Sequence, residues 1–326
     1  MSYLAKTYLY LKALEKLSKE ELGGWRMHVV ESGQVDNVAE DEDDAFQQIR
    51  DFLSFLPNTV REVAQRVETG DDPERRPQEL LEFVPTNRRQ GYDARALIRH
   101  VVDNGNFFEM RELYASGLIT GFARLDGWSV GVIGSDPMSK AGAMDGNAAD
   151  KYTHFVDLCD TFNLPLLIFL DMPGFMLGSH AERIATMRRG ARALIASAEC
   201  QVPKIEFMVR KSYGVAADAP NSIGLPDSIN LRFGWPSGEW GGIPIEGGVA
   251  AAYRREIEAA DDPDAHREAI EERLLRLRSP FRAAHRGDVV DLIDPRETRS
   301  LACRFVNLAQ PKLRELAQRP KRAVRP

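Results

Sequence analysis

Hydrophobic and polar positions along this chain alternate in blocks typical of strands followed by helices. Residues 164–170 form an apolar run that is too short for an ordinary helix and rich in branched side chains, which predicts a strand buried on both faces. Residues 204–209 repeat this pattern. Residues 148–162 place their apolar side chains along one stripe, and residues 182–197 are rich in alanine, so both segments are predicted to be helices. The chain is therefore predicted to be an α/β protein.

A hairpin is predicted upstream of these elements. Residues 118–125 and 128–133 flank the dipeptide Asp126-Gly127, which favours the tight type I′ turn that matches the twist of paired strands. The remaining predicted helices span residues 1–24, 40–55, 247–260, 264–278 and 296–316, and the remaining predicted short strands span residues 26–30, 229–235 and 289–293.

Each of the two buried strands leads into a loop with candidate chemistry. The first loop spans residues 171–178 and the second spans residues 210–218. Ligands of open α/β sheets bind at the carboxyl ends of the strands, so the two loops are expected to face one pocket. In the second loop the small residues Gly214, Val215 and Ala216 precede a helix, and their N–H groups could stabilise an oxyanion, at about 3 kcal/mol for each donor. Simple helix packing is the alternative for these small residues.

Composition and motifs exclude several other classes of function. The net charge is −6 and basic residues are spread along the 326 positions, so no nucleic-acid surface is expected. The six histidines and three cysteines show no metal-ligand spacing, and no phosphate-binding glycine loop occurs. Residues 1–17 are amphipathic and carry lysines, so neither a signal peptide nor a membrane span is expected. The protein is therefore expected to be cytoplasmic.

A series of short motifs, in a specific order and spacing, resembles the carboxyltransferase component of biotin-dependent acyl-CoA carboxylases, of the propionyl-CoA carboxylase beta type. The motifs include Gly91-Tyr92-Asp93-Ala94-Arg95, Asp136-Pro137, the loop 171–178, Arg189-Gly190-Ala191, Arg210-Lys211 and Trp235-Pro236. The resemblance implies a crotonase-like ββα spiral fold. It also implies transfer of a carboxyl group between carboxybiotin and the α-carbon of an acyl-CoA. The chain has no Met-Lys-Met biotinylation site, so the biotin is expected on a partner protein.

The resemblance also implies roles for particular residues. In this family two backbone oxyanion holes hold the two enolates, and the one in the C-terminal domain falls on Val215 and Ala216, following Gly214. Asp218 matches a position that influences acyl-chain choice, although an ordinary acid at a helix start is the alternative. The other predicted substrate-binding residues match the loop near biotin or the next glycine-rich helix start, where a structural turn or packing is the alternative: Asp171, Pro173, Gly174, Phe175, Gly178, Gly247 and Gly248.

The domain organisation expected from the resemblance is unusual. Residues 1–60 match the C-terminal remnant of a first crotonase-like domain, residues 61–90 a linker, and residues 91–326 a complete second domain. A partner chain is therefore expected to supply the rest of the first domain. The expected assembly also contains a biotin carboxylase or biotin carrier protein and is a hetero-hexamer or a dodecamer.

Local departures from the family pattern leave two other functions open. Val215 and Ala217 replace a glycine and an aromatic residue, and Pro244 stands where a glycine is usual. A branched side chain at Val215 resists positive φ and narrows a pocket. An acyl-thioester decarboxylase on the same fold, or a non-catalytic structural subunit, would also be compatible with these changes.

Overall fold

The computed structural model describes residues 18–221, 228–242, 245 and 248–325. Three features of the sequence analysis lie outside these residues. They are the amphipathic segment 1–17, Pro244, which departs from the family pattern, and the predicted site residue Gly247.

A single mixed sheet organises the described residues. Its strands are β1 (Phe107–Met110), β2 (Leu118–Leu125), β3 (Trp128–Ser135), β4 (Leu166–Met172), β5 (Lys204–Tyr213), β6 (Asn230–Gly234), β7 (Glu239–Gly241) and β8 (Asp291–Leu292). The order across the sheet is β1-β2-β3-β4-β5-β6-β8, and β7 pairs with the end of β5. The first three strands are antiparallel and the others are parallel. The α/β prediction is confirmed.

The predicted hairpin is present. The pairing of β2 with β3 extends to Leu125, which lies opposite Trp128. The two turn residues have positive φ, at 48° for Asp126 and 78° for Gly127, as a type I′ turn requires.

Helices alternate with the parallel strands. They are α1 (Lys19–Gly23), α2 (Glu42–Phe55), α3 (Ala94–Val101), α4 (Gly146–Thr161), α5 (Ser179–Arg183), α6 (Thr186–Glu199), α7 (Gly214–Asp218), α8 (Gly248–Ala252), α9 (Arg254–Glu258), α10 (Pro263–Leu277), α11 (Pro280–Arg286) and α12 (Thr298–Ala317). The strand predicted at residues 26–30 was wrong, since Met27–Glu31 form a wide helical turn. Periodicity cannot separate a strand from a helical turn in so short an apolar run.

Two hydrophobic clusters cover the two faces of the sheet. On one face Tyr152 and Phe155 of α4 pack with Met208 of β5. On the other face Ile98 of α3 and Phe305 of α12 share a cluster with residues that include Phe207 of β5. Side chains of neighbouring residues along β5 thus point to opposite faces, both of them buried, which explains the continuous apolar sequence of the central strands.

The segment between α2 and α3 has little regular structure, but it is packed against the rest of the chain. Besides short turns, the segment contains one 3-10 helix, Gln78–Leu81, in which Leu80 is buried. The Arg210 side chain of β5 lies over the Tyr92 ring, with 5.1 Å between the guanidinium carbon and the ring centroid, and donates to the Gln90 carbonyl at 2.8 Å. This segment therefore reaches the carboxyl end of the sheet. Within the described residues no helix has the length and apolarity needed to cross a membrane.

Candidate functional site

The carboxyl ends of β4 and β5 lie side by side, as expected from the sequence. Met172 is paired with Ser212, after an irregularity in the register. The Asp171 carboxylate accepts from the Lys211 backbone N–H at 3.0 Å and forms an ion pair with Arg210 at 2.9 Å. Asp171 is only 1% exposed. Its carboxylate therefore ties the two strand ends together.

The loop that follows β4 lies against the β5–α7 junction. Gly174 has a φ of +124°, and a Cβ placed on it would lie 3.5 Å from the Tyr213 carbonyl oxygen. Phe175 turns inward onto α6, where a Cβ on Gly190 would lie 2.4 Å from the Phe175 ring. Gly178, with a φ of +111°, precedes α5 and faces open space. Glycine at these positions permits a backbone conformation that other residues rarely adopt.

The β5–α7 junction has the features of a backbone donor site. Tyr213 is buried and precedes α7, whose first residue, Gly214, has a φ of +63°. The first four N–H groups of an α-helix have no partner within the helix. Because the positive φ falls on Gly214, the branched side chain of Val215 is not forced into that conformation. Ala216 is buried, whereas Val215 is 54% exposed.

A cavity of about 740 Å³ opens beside this junction and is lined in part by Gly214, Val215 and Asp218. Its lining also carries arginine side chains, among them Arg232, Arg282 and Arg286, the last of which is paired with the lining residue Asp288 at 2.5 Å. Guanidinium groups and a helix start both favour negative charge. The cavity therefore suits an anionic group next to the junction.

The structure brings some predicted site residues together and separates others. Gly214, Val215 and Asp218 share the cavity, and Ala216 follows in α7. Gly248 begins α8, but it does not line the cavity. The predicted residues at the end of β4 and in the following loop do not line it either: Asp171, Pro173, Gly174, Phe175 and Gly178.

A buried charge cluster lies beneath the cavity and was not predicted. Glu206 of β5 is fully buried, and its carboxylate lies 2.9 Å from the Arg232 guanidinium, which lines the cavity. Burial raises the pKa of Glu206, and the Arg232 charge opposes that rise. Lys204 donates to the Ser197 carbonyl at 2.8 Å, and burial lowers the pKa of Lys204. The available signal was the presence of two charged residues within an apolar strand.

Two further charged residues near the junction were also missed. Arg88 and Glu239 form an ion pair of 2.6 Å, and Glu239 accepts from the Tyr213 hydroxyl. Within the part of the chain that the structure describes, no group of three or more His, Cys, Asp or Glu side chains is arranged to hold a metal ion.

The sequence matches the carboxyl transferase domain family over residues 6–324. A propionyl-CoA carboxylase carboxyltransferase subunit from Haloferax mediterranei is 41% identical over 287 residues, which cover 88% of this chain and 55% of that protein. A methylmalonyl-CoA decarboxylase subunit alpha from Veillonella parvula is 38% identical over 285 residues, covering 87% of this chain and 54% of that protein. The chain thus spans about half the length of the relatives it matches.

A solved structure is similar over almost the whole chain. Transcarboxylase 12S, described as a hexamer assembly and crystallised with methylmalonyl-coenzyme A and methylmalonic acid, superposes with a TM-score of 0.84 and 36% identity. The superposition covers 98% of this chain and 59% of that one. It confirms the crotonase-like α/β fold, and the matches together show that this chain belongs to the carboxyl transferase domain family.

Proposed function

We propose that this chain is part of an acyl-CoA carboxyltransferase that moves a carboxyl group between carboxybiotin and the α-carbon of an acyl-CoA. The observation that carries the proposal is the Gly214–Ala216 junction, which opens onto an arginine-lined cavity in a chain of the carboxyl transferase family. The biotin belongs to a partner carrier protein. The acyl-CoA is the second substrate.

The N–H groups of Val215 and Ala216 would act as oxyanion donors in this reaction. Carboxyl transfer places negative charge on the ureido oxygen of biotin and on the thioester oxygen of the acyl-CoA. A fixed backbone donor aimed at such an oxygen is typically worth about 3 kcal/mol of the barrier. The arginines of the cavity lining, including Arg278 and Arg282, would favour the approach of the negatively charged group. In this reaction the chain stabilises the negative charge on these oxygens and does not supply a nucleophile.

The remaining site residues have supporting roles in this proposal. Asp218 and the exposed side chain of Val215 border the cavity, so they are placed to influence the size and charge of the group that enters. Asp171 fixes the strand ends. Pro173, Gly174, Phe175, Gly178 and Gly248 are proposed to bind substrate, as is Gly247, which lies outside the described residues.

A further crotonase-like domain, the first in the family's arrangement, is proposed to complete the site. Residues 1–60 would pack as the end of that first domain, residues 61–90 would link the two domains, and residues 91–326 would form the second domain. Support comes from α2, where the apolar side chains of Phe46, Ile49 and Leu53 are more than half exposed. We propose that a second carboxyltransferase chain and a biotin carboxylase or biotin carrier protein assemble with this chain as a hetero-hexamer or a dodecamer.

A decarboxylase that acts on an acyl-CoA is the second candidate. The similarity to a methylmalonyl-CoA decarboxylase subunit alpha supports it, because that relative is nearly as similar as the carboxylase subunit. A non-catalytic structural subunit is the third, and the Val215 and Pro244 departures from the family pattern are what favours it.

The first test is purification of the complex from its source cells through a tag on this chain. Native mass spectrometry would then identify the assembly, with a second crotonase-like chain and a biotinylated protein expected. Incubation with carboxyl-labelled methylmalonyl-CoA separates the three functions. Label that moves to the biotinylated protein supports the carboxyltransferase, and net release of label as CO2 supports the decarboxylase. If the complex turns over methylmalonyl-CoA only through a site on another carboxyltransferase chain, the result supports the structural subunit.

A further inference from the structure

A short chain of polar contacts ends at the residue before the proposed donor site. The Tyr213 hydroxyl donates to the Glu239 carboxylate at 2.5 Å, and the Arg88 guanidinium donates to the same carboxylate oxygen at 2.6 Å. Tyr213 is buried, and the side chains of Arg88 and Glu239 are only 25% and 19% exposed. Charge-assisted hydrogen bonds with so little solvent contact are among the stronger ones in proteins.

The backbone of Tyr213 is held by the same element as its side chain. Strand β7 is three residues long, and in it Glu239 is in register with Lys211 and Gly241 with Tyr213. The Arg278 guanidinium lies over the Tyr213 ring, 4.6 Å from its centroid. A Cβ on Gly241 would lie 3.1 Å from the Arg278 Nε, so glycine leaves room for this stack. Both the main chain and the ring of Tyr213 are thus fixed.

The position of Tyr213 determines where the next N–H groups point. Gly214 directly follows it, with a φ of +63°, and Val215 and Ala216 come next in α7. A glycine with positive φ has no side chain to resist rotation, so its torsion angles depend on what holds its neighbours. Oxyanion donors act through fixed geometry, and an error of 1 Å can cost about a hundredfold in rate.

We propose that Glu239 and Arg88 are positioning residues for the backbone donors of Val215 and Ala216, and that they act through Tyr213. This inference rests on the proposed function for the role of the donors, but not for the ordering of the backbone. Residues 84–90, which the sequence analysis assigns to a linker, would then have a role in the site, because they position Arg88 beside Glu239. Arg88 is 151 positions from Glu239 in sequence.

The test measures backbone order and turnover separately. Amide hydrogen exchange in the tagged complex, read on a peptide that spans residues 211–219, would compare the wild type with Tyr213→Phe, Glu239→Gln, Arg88→Met and Arg88→Lys. We expect roughly tenfold faster exchange in this peptide for the first three variants, and partial recovery in Arg88→Lys because the charge is kept. Peptides from α12 should not change. Arg304→Gln is the matched control, because it breaks an exposed Arg304–Glu74 pair.

Turnover gives the second readout. Each of the first three variants should lower kcat about tenfold or more with little change in KM, as expected when a transition-state interaction is misaligned. The double variant Tyr213→Phe, Glu239→Gln should be no worse than the poorer single variant, because both act in one unit. Unchanged exchange at residues 211–219, or faster exchange across the whole fold, would overturn the positioning role. Absence of turnover in the wild type would instead overturn the proposed function, while the exchange result would still stand.

Discussion

The carboxylate of Asp171 and the guanidinium of Arg210 form a buried ion pair of 2.9 Å between the ends of β4 and β5. The two side chains are 1% and 4% exposed. Both strands lead into loops of the proposed site, so this pair fixes the starting points of both loops. The family resemblance assigns Asp171 to substrate binding, and its observed contacts are with Arg210 and the Lys211 backbone N–H.

Replacing Asp171 with Asn should destabilise the protein strongly. Arg210 would stay buried without its counter-charge, and breaking such a pair typically costs about 3–5 kcal/mol. The measurement is the free energy of unfolding from urea denaturation. Asp264→Asn is the control, since its pair with Arg267 is exposed and should be worth less than about 1 kcal/mol. Unchanged stability together with lost turnover would return Asp171 to a role in substrate binding.

The Val215 side chain should limit the size of the group that enters the cavity. It is more than half exposed and lines the cavity wall beside Gly214. Val215→Ala should raise kcat/KM for bulkier acyl-CoA substrates relative to propionyl-CoA by roughly tenfold, a typical effect of one or two methyl groups in a pocket. Val290→Ala, at an exposed position outside the cavity, should leave this ratio unchanged. An equal loss for all substrates would show that Val215 does not determine chain length.

Lys151 should be essential to the fold of the loop before β2. It is fully buried, and its ammonium group donates to the carbonyls of Arg111, Tyr114 and Leu118 at 2.7, 2.9 and 2.6 Å. Lys151→Met keeps most of the side-chain volume but leaves these acceptors without a donor, which should cost at least about 3 kcal/mol of unfolding free energy. Lys19→Met, at an exposed position, is the control. Equal stability of the two variants would refute this role.

The pH dependence of stability should contain a contribution from His154. Its Nδ1 lies 3.1 Å from the Arg325 carbonyl oxygen, where the C-terminal residues pack on α4. Burial lowers the pKa of His154 below its ordinary value of 6.5. Below pH 6.5 the unfolded chain therefore binds a proton that the folded protein resists, so stability should fall as the pH drops through this range.

The measurement for His154 is the free energy of unfolding at several values between pH 5 and 8, compared between the wild type and His154→Asn. The stability of the wild type relative to His154→Asn should fall as the pH drops below 6.5 and stay constant above it. A difference that stays constant with pH would show that His154 does not contribute to this dependence.

Sequence alone was sufficient for the elements whose signals are local. The hairpin followed from Asp126-Gly127, and both buried strands followed from continuous apolar runs. The two loops at one sheet edge were predictable for the same reason, since parallel strands bring their carboxyl ends together.

The contacts that shape the site were not predictable, because they join distant positions. Arg88 reaches Glu239 across 151 residues, and no local pattern marks either as a partner of the other. The inward turn of Phe175 depends on the space above Gly190, which tertiary packing creates. Predictions based on spacing located the junction at Gly214, but only the structure shows what holds it in place.

The most direct test of the account is to remove one proposed donor without changing a side chain. Replacing Ala216 by lactic acid through nonsense suppression converts its amide into an ester and deletes the N–H. Carboxyl transfer from labelled methylmalonyl-CoA to the biotinylated protein should then fall by about 10²–10³ in kcat, with stability nearly unchanged. The same replacement at Ala45 of α2, outside the cavity, should leave kcat unaltered. An Ala216 ester that transfers label at the wild-type rate would contradict the central claim that the β5–α7 backbone holds the oxyanion.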